Sequence, residues 1–275
     1  MKVGGPADLL VEAKTRSALI EVLQLAHKLN IKYFIIAGGS NVVFPDKGWR
    51  GLVIRYKAKV IGVHKQTMIA EVEAGAMLGD LVRNLLKQSL GGFSFLANIP
   101  GSVGGAIVGN AGCYGKEIKD VLREVEIFNV KTGEISRVKP DGLGFNYRQS
   151  KLKDHPELIV LTAIFKLEKV SKKQALKEIA EEKQLRLDKH PQAPSCGSWF
   201  KNPERGVPAW KFIDQAGMRG VALGGARMSR KHSNFLVNCG GATARDVAKL
   251  AKLVQQKVKA KTGVSLEPEV RIVDY

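Results

Sequence analysis

The sequence predicts an α+β protein, and three observations carry that prediction. Short apolar runs of strand length alternate with segments whose apolar residues recur at helical spacing. The turn signal Lys131-Thr132-Gly133 joins two strand-like runs, so part of the sheet is antiparallel. At Ser171 the texture changes to a charged helical run over 172–187, which marks a boundary between two parts of the chain. A chain of 275 residues, 44% hydrophobic, suffices for one large or two moderate domains with a real core.

The elements follow in order. Residues 7–12 read as a strand. Residues 15–30 place Leu19, Val22, Leu23, Ala26 and Leu29 on one helical face, and Asn30 ends that helix. Residues 33–37 form a short buried strand running into Gly38-Gly39-Ser40-Asn41, a turn that delivers backbone amides at a strand end. Strands are expected at 51–56, 59–64 and 68–73, then an amphipathic helix at 78–88. Further strands fall at 124–129, 134–138 and 157–167, with 145–150 irregular. Beyond the charged helix, 189–207 reads as a Pro/Gly/Ser-rich loop. Residues 208–216 form a short helix with Pro208 in its first turn. A strand at 234–238 precedes a long amphipathic helix at 243–261, with Thr243 as N-cap and Gly263 as stop. A strand over 264–273 closes the chain.

Bulk properties narrow the function. The net charge is +18 and is spread along the chain: residues 171–275 hold 20 Lys+Arg against 10 Asp+Glu, the rest 24 against 16. That balance favours anionic partners, with a solvated basic surface an equal explanation. No helix-turn-helix, RNP-type or zinc-finger pattern selects nucleic acid. No apolar run approaches membrane-span length, and Met1 leads straight into a polar segment without a signal sequence. Cys113, Cys196 and Cys239 are odd in number and lack CxxC spacing, which points to a reducing, cytoplasmic setting and no metal site.

The densest signal is residues 98–115, NIPGSVGGAIVGNAGCYG, with six glycines, Asn98, Asn110 and no charge. Its interleaved Ile99, Val103, Ile107 and Val108 are foreign to linkers. Glycine at this density allows close approach of backbone, and bare N–H groups can converge on an anion. A phosphate-bearing ligand is therefore expected there. Neither GxGxxG nor GxxxxGK[ST] occurs, so the two commonest phosphate cradles are unsupported.

Other residues admit a bland and a chemical reading. Ser198, in Cys196-Gly197-Ser198-Trp199-Phe200-Lys201-Asn202-Pro203, is a turn serine or a proton donor. The hydrolase elbow GxSxG is absent, and His190 and His232 have no evident carboxylate partner, so nucleophilic catalysis is disfavoured. Arg148 follows two aromatics in irregular backbone, where its fork would suit a carboxylate or a developing enolate. Glu267 and Glu269 share one side of the expected last strand, either solvated or returning a carboxylate to a proton-handling site. Lys189, Lys201, Arg230, Lys231 and His232 are surface charges singly and together suit a diphosphate.

Six segments occur in order: IAGGSN, NIPGSVGGAIVGNAGCYG, FNYRQS, CGSWFKNP, GGARMSRKHSNFLVN and LEPEVR. Together they resemble the UDP-N-acetylenolpyruvoylglucosamine reductase family over nearly the whole chain. The resemblance implies a vanillyl-alcohol-oxidase-type FAD-binding domain over 1–169, in two subdomains split near 57–66. It also implies a C-terminal α/β substrate domain over 170–275 whose last strand returns to the active site. FAD is bound non-covalently, with Gly38, Gly39, Ser40, Asn41, Asn98, Pro100, Gly101, Ser102, Gly104, Gly105, Gly109 and Asn110 around it. NADPH is the co-substrate and an enolpyruvyl UDP-sugar the substrate. By the same resemblance Arg148 and a protonated Glu269 stabilise enolate charge, Ser198 donates the proton to C2, and Lys189, Asn202 and Lys231 hold the sugar nucleotide. The short run between Arg148 and Ile159 matches the shorter subtype, without a substrate-capping insertion. The implied setting is cytoplasmic peptidoglycan precursor synthesis, with a monomer favoured and no nucleic acid or membrane partner. The rivals are another flavin oxidase or dehydrogenase on the same domain, and a basic nucleic-acid-binding protein.

Overall fold

The structure is a computed structural model describing residues 1–203 and 206–273. It divides into two compact units that interleave in sequence. The larger comprises Leu9–Gly38 and Gly51–Lys183. The smaller comprises Met1–Asp8, Gly39–Arg50 and Gln184–Tyr275.

In the larger unit, β1 (Ala7–Ala13), β2 (Tyr33–Ile36) and β3 (Trp49–Tyr56) form a three-stranded sheet in the order β1-β3-β2. Helix α1 (Arg16–Lys28) starts where Thr15 accepts the Ala18 N–H, and it buries Leu19, Leu23 and Ala26. A second sheet contains β4 (Ile61–His64), β5 (Ile69–Glu73), β6 (Leu122–Asn129), β7 (Ile135–Val138) and β8 (Leu158–Lys166), ordered β7-β6-β8-β5-β4. All its neighbours are antiparallel, and one register row reads Val138, Val125, Ala163, Val72, Ile61. Helix α2 (Leu78–Leu86) buries Leu78, Leu81, Val82, Leu85 and Leu86. Burying each leucine contributes roughly 1.5–3 kcal/mol.

The glycine-rich stretch departs from a plain loop, because Val103–Val108 is a helix, α3. Ser102 caps it by accepting the Gly105 N–H, and Val103, Ala106 and Ile107 are buried. Glycines at 104 and 105 argue against helix by propensity. Tertiary pairing overrides them: Val103 N–H donates to Ala76 O and Gly104 N–H to Ala74 O, both at 2.8 Å. A Cβ on Gly104 would stand 2.9 Å from the Ala74 Cβ, so glycine is what lets α3 approach. Helix α4 (Lys172–Lys189) then runs from the larger unit into the smaller.

In the smaller unit, β9 (Ser195–Ser198) interrupts the expected 189–207 loop. Helix α5 (Ala209–Gln215) follows. Strands β10 (Ala222–Leu223), β11 (Ala226–Met228) and β12 (Phe235–Asn238) complete an antiparallel sheet in the order β9-β12-β11-β10. Helix α6 (Ala244–Thr262) has the expected ends: Thr243 and Asp246 form a capping box, and Gly263 takes a left-handed φ of 76°. It buries Val247, Leu250, Ala251, Val254 and Val258. Asp46 accepts the N–H groups of Ala244 at 2.6 Å and Arg245 at 2.9 Å, so segment 39–50 closes the amino end of this helix. The expected strand over 264–273 shrinks to Arg271–Ile272, which pairs in parallel with Val42–Val43. A bend at Glu269 and Val270 breaks it.

Gly104→Val forces a side chain into Ala74 and is expected to destabilise the protein by about 1–3 kcal/mol in thermal or urea unfolding. Gly105→Ala meets its nearest neighbour, the Ser102 Oγ, at 3.4 Å. It should instead leave stability unchanged or raise it by up to about 1 kcal/mol.

Candidate active site

The larger unit gathers one set of the expected residues around 98–115. Asn110 is fully buried, and its Nδ2 donates to the Asn146 carbonyl at 2.9 Å. The buried Ser150 hydroxyl donates to Val108 O at 2.7 Å. These bonds lay the 145–150 segment along α3. A tight reversal follows, in which Asn146 and Gln149 exchange backbone hydrogen bonds. Arg148 sits there at a φ of 54°. A left-handed non-glycine residue costs roughly 1–3 kcal/mol and persists where its surroundings hold it. They do: its Nη2 donates to Gly112 O at 2.7 Å, and Lys153 Nζ donates to its carbonyl at 2.5 Å. The Tyr147 ring lies 5.2 Å from the guanidinium carbon.

Two expected cofactor residues use their side chains structurally. Asn98 Nδ2 donates to Ile179 O of α4 at 3.0 Å, and Ser102 caps α3. Cys113, close to this stretch, donates its thiol to Phe95 O.

The smaller unit gathers a second set. Ser198 ends β9 after a bulge: three steps from Ser195 to Ser198 oppose two from Val237 to Phe235. Gly197, at a φ of 79°, makes that bulge, which re-aims the serine. Trp199 and Phe200 follow, both buried to 1% exposure or less. Glu269 N–H donates to Trp199 O at 2.8 Å, and Lys201 N–H to Glu267 O at 2.9 Å. Ser198 and Glu269, far apart in sequence, are thus on neighbouring backbones. Asn41 Nδ2 donates to Glu269 O at 3.2 Å, and Arg271 N–H to Asn41 O at 3.1 Å, which ties the Gly39–Ser40–Asn41 turn to the same place. Glu267 fits the solvated reading: its carboxylate is exposed and pairs with Lys201 Nζ at 2.5 Å. Asn202 Oδ1 accepts the Ala209 N–H at the start of α5, and Lys231 Nζ donates to Leu187 O near the end of α4.

The sequence matches the FAD binding domain family over residues 7–139 and the C-terminal domain of UDP-N-acetylenolpyruvoylglucosamine reductase over 189–273. The reductase of Carboxydothermus hydrogenoformans is 43% identical over 275 residues, covering 99% of this chain and 89% of the relative. That of Rubrobacter xylanophilus is 39% identical over 272 residues, covering 99% and 91%. The crystal structure of the Thermus caldophilus enzyme aligns with a TM-score of 0.82 at 34% identity, over 99% of this chain and 94% of that one. This chain belongs to the UDP-N-acetylenolpyruvoylglucosamine reductase family. Family membership makes it an FAD-dependent oxidoreductase of α+β architecture.

The glycines of this reductase separate into two kinds, which tests the fit of FAD. Gly104 and Gly112 are close-packing positions: a Cβ at Gly112 would come within 2.1 Å of Lys116 O. At Gly38 the nearest atom to a Cβ is Met77 Cε at 3.8 Å, and at Gly39, with a φ of 64°, nothing lies within 4 Å. Gly38 and Gly39 therefore leave main chain open on one side, as a diphosphate-bearing ligand requires. Asn110 Oδ1 is buried without a hydrogen-bond partner among the described residues. It leaves an acceptor for a donor the protein does not supply. The residues present fit the cofactor.

Sequence reading missed Asn146, Ser150, Asn234 and Asp46. Ser150 and Asn234 lie inside the family segments but carry no charge, and only their buried hydrogen-bond partners single them out. The His190, His232 and Phe235 rings form a cluster with centroids 4.7–5.4 Å apart. Burial first, then the nearby charges of His232, Arg186, Lys231 and Lys189, lowers the His190 pKa to about 4. Burial also lowers that of His232, whose Nδ1 accepts the Asn234 N–H. A base whose folded pKa is depressed makes its full contribution above its unfolded value, near 6.5, and loses it as pH falls. Urea unfolding of this reductase should therefore show stability declining from about pH 6.5 towards 4. His190→Phe should flatten that slope.

Proposed function

We propose that this protein reduces UDP-N-acetylglucosamine enolpyruvate to UDP-N-acetylmuramate with NADPH, in peptidoglycan precursor synthesis in the cytoplasm, through the residues described above. The observation that supports the residue roles is the bond from Glu269 N–H to Trp199 O, which holds the backbone of Glu269 against the residue that follows Ser198. In this reading residues 1–169 hold FAD and 170–275 take the substrate, although by contacts segment 39–50 groups with the C-terminal part. Among the described residues no helix is long and apolar enough to cross a membrane.

FAD, when bound, would supply the hydride transfer from NADPH to C3 of the enolpyruvyl group. By this reading the residues that would hold it are those of the Gly38–Gly39–Ser40–Asn41 turn and the main chain of 98–110, with Pro100, Gly101, Gly105 and Gly109. Reduction at C3 leaves enolate charge on C2 and its carboxylate. Arg148 meets that charge with a guanidinium already fixed by Gly112 O. Glu269 in its neutral form donates a hydrogen bond to the same charge. Ser198 gives its hydroxyl proton to C2. A hydroxyl is a weak acid in water, and a fixed position beside a strongly basic enolate, with water excluded, is what lets it serve. Lys189, Asn202 and Lys231 bind the sugar nucleotide. Lys231 Nζ donates to Leu187 O, and in this reading it exchanges that contact for a phosphate oxygen of the substrate.

Purified protein saturated with FAD should be yellow, bleach on NADPH addition and regain colour when the enolpyruvyl UDP-sugar is added. Failure to retain FAD, or colour that returns only with oxygen, would remove this reading in favour of another activity.

A further inference from the structure

The short link between Ser198 and Lys201 contains four backbone polar groups, those of Trp199 and Phe200. Both side chains are buried, so water cannot satisfy these groups, and each needs a protein partner. Trp199 O accepts from Glu269 N–H. The other three end on one residue, Asn234. Its carbonyl accepts the Trp199 N–H at 2.7 Å. Its Oδ1 accepts the Phe200 N–H at 3.0 Å, and its Nδ2 donates to the Phe200 carbonyl at 2.9 Å. Asn234 is itself only 3% exposed.

The need for this arrangement follows from the bulge. Strand β9 pairs with β12 as far as Ser198 opposite Phe235, and the extra residue at the bulge leaves the following backbone out of step with the ladder. A side-chain amide presents an N–H donor beside a carbonyl acceptor, as a peptide edge does. Asn234 therefore completes the ladder where β12 cannot. Phe200 also bridges to Pro268, so the backbone after Ser198 is held on both flanks, by Asn234 and by 267–269.

We propose that Asn234 is a positioning residue for proton delivery. Its amide sets the backbone that aims the Ser198 hydroxyl and, through Trp199, the backbone of Glu269. This rests on the reading of Ser198 as proton donor to C2. Asn234 touches neither NADPH nor the sugar in this role, so reduction by NADPH does not depend on it.

The test uses full-length, FAD-loaded protein with Asn234→Ala and Asn234→Asp. The second keeps the acceptor for Phe200 N–H and places a carboxylate oxygen against the Phe200 carbonyl. Both variants should reduce within about twofold of wild type with NADPH. Reoxidation by the enolpyruvyl UDP-sugar should slow by about a hundredfold, the scale of a misplaced reacting group. The solvent isotope effect on that step should rise as proton delivery becomes limiting. Site-resolved hydrogen exchange gives a readout independent of activity. In wild type the Trp199 and Phe200 amides should be protected like that of Leu236, and in Asn234→Ala, which removes the acceptor, that of Phe200 should exchange much faster. Unchanged reoxidation, a proportional loss in both half-reactions, or rapid exchange at Phe200 in wild type would each overturn the proposal. If wild type itself is not reoxidised by the sugar nucleotide, the functional reading has failed instead.

Discussion

Pairing of residues 199–201 with 267–269 is the constraint on which the arrangement of the smaller unit depends. These segments are distant in sequence, and two backbone hydrogen bonds join them beside the fully buried Trp199 and Phe200. From Glu269 the connection continues through Asn41 to the Gly39–Ser40–Asn41 turn, and from segment 39–50 through Asp46 to the amino end of α6. A short insertion sequence of twelve residues is thereby locked into the unit built mostly from the C-terminal part. The backbones around Ser198 and Glu269 and the glycine turn share one hydrogen-bonded frame.

The larger unit uses a different device. Its glycines work by absence: Gly104 and Gly112 let main chain meet main chain, and only then can Asn110 and Ser150 hold the 145–150 reversal against α3. Arg148 sits at the crest of that reversal in a strained backbone conformation, fixed by Gly112 and Lys153. Strain of this kind is tolerated where the surroundings over-determine it, and here the result is a guanidinium with little conformational freedom.

Much of this was legible in the sequence. Helices α1, α2 and α6 followed from apolar spacing, and Thr243 and Gly263 set the ends of α6 as caps should. The glycine stretch was read as backbone meeting something closely, without the helix inside it. Propensity cannot foresee that helix, because its stability comes from Ala74 and Ala76 in another segment. Strand β9 was hidden in a run of Pro, Gly and Ser because its pairing partner lies some forty residues on. The last strand was read too long because a bend at 269 and 270 interrupts an otherwise suitable apolar alternation. Ser198, Arg148 and Glu269 admitted a bland and a chemical reading from residue type alone, and only the ordered family segments gave each a role. Asn234 did not stand out at all, since a buried asparagine declares its role only through its partners.

The claim that Ser198 acts as proton donor, in the second half-reaction alone, meets its most direct test in a single-turnover experiment. Ser198→Ala protein is reduced with NADPH without oxygen, then mixed with the enolpyruvyl UDP-sugar while flavin absorbance is followed. Reduction should proceed as in wild type, and reoxidation should slow by about 10²–10⁴-fold, the range for loss of a positioned acid. Reoxidation at the wild-type rate would contradict the assignment of Ser198.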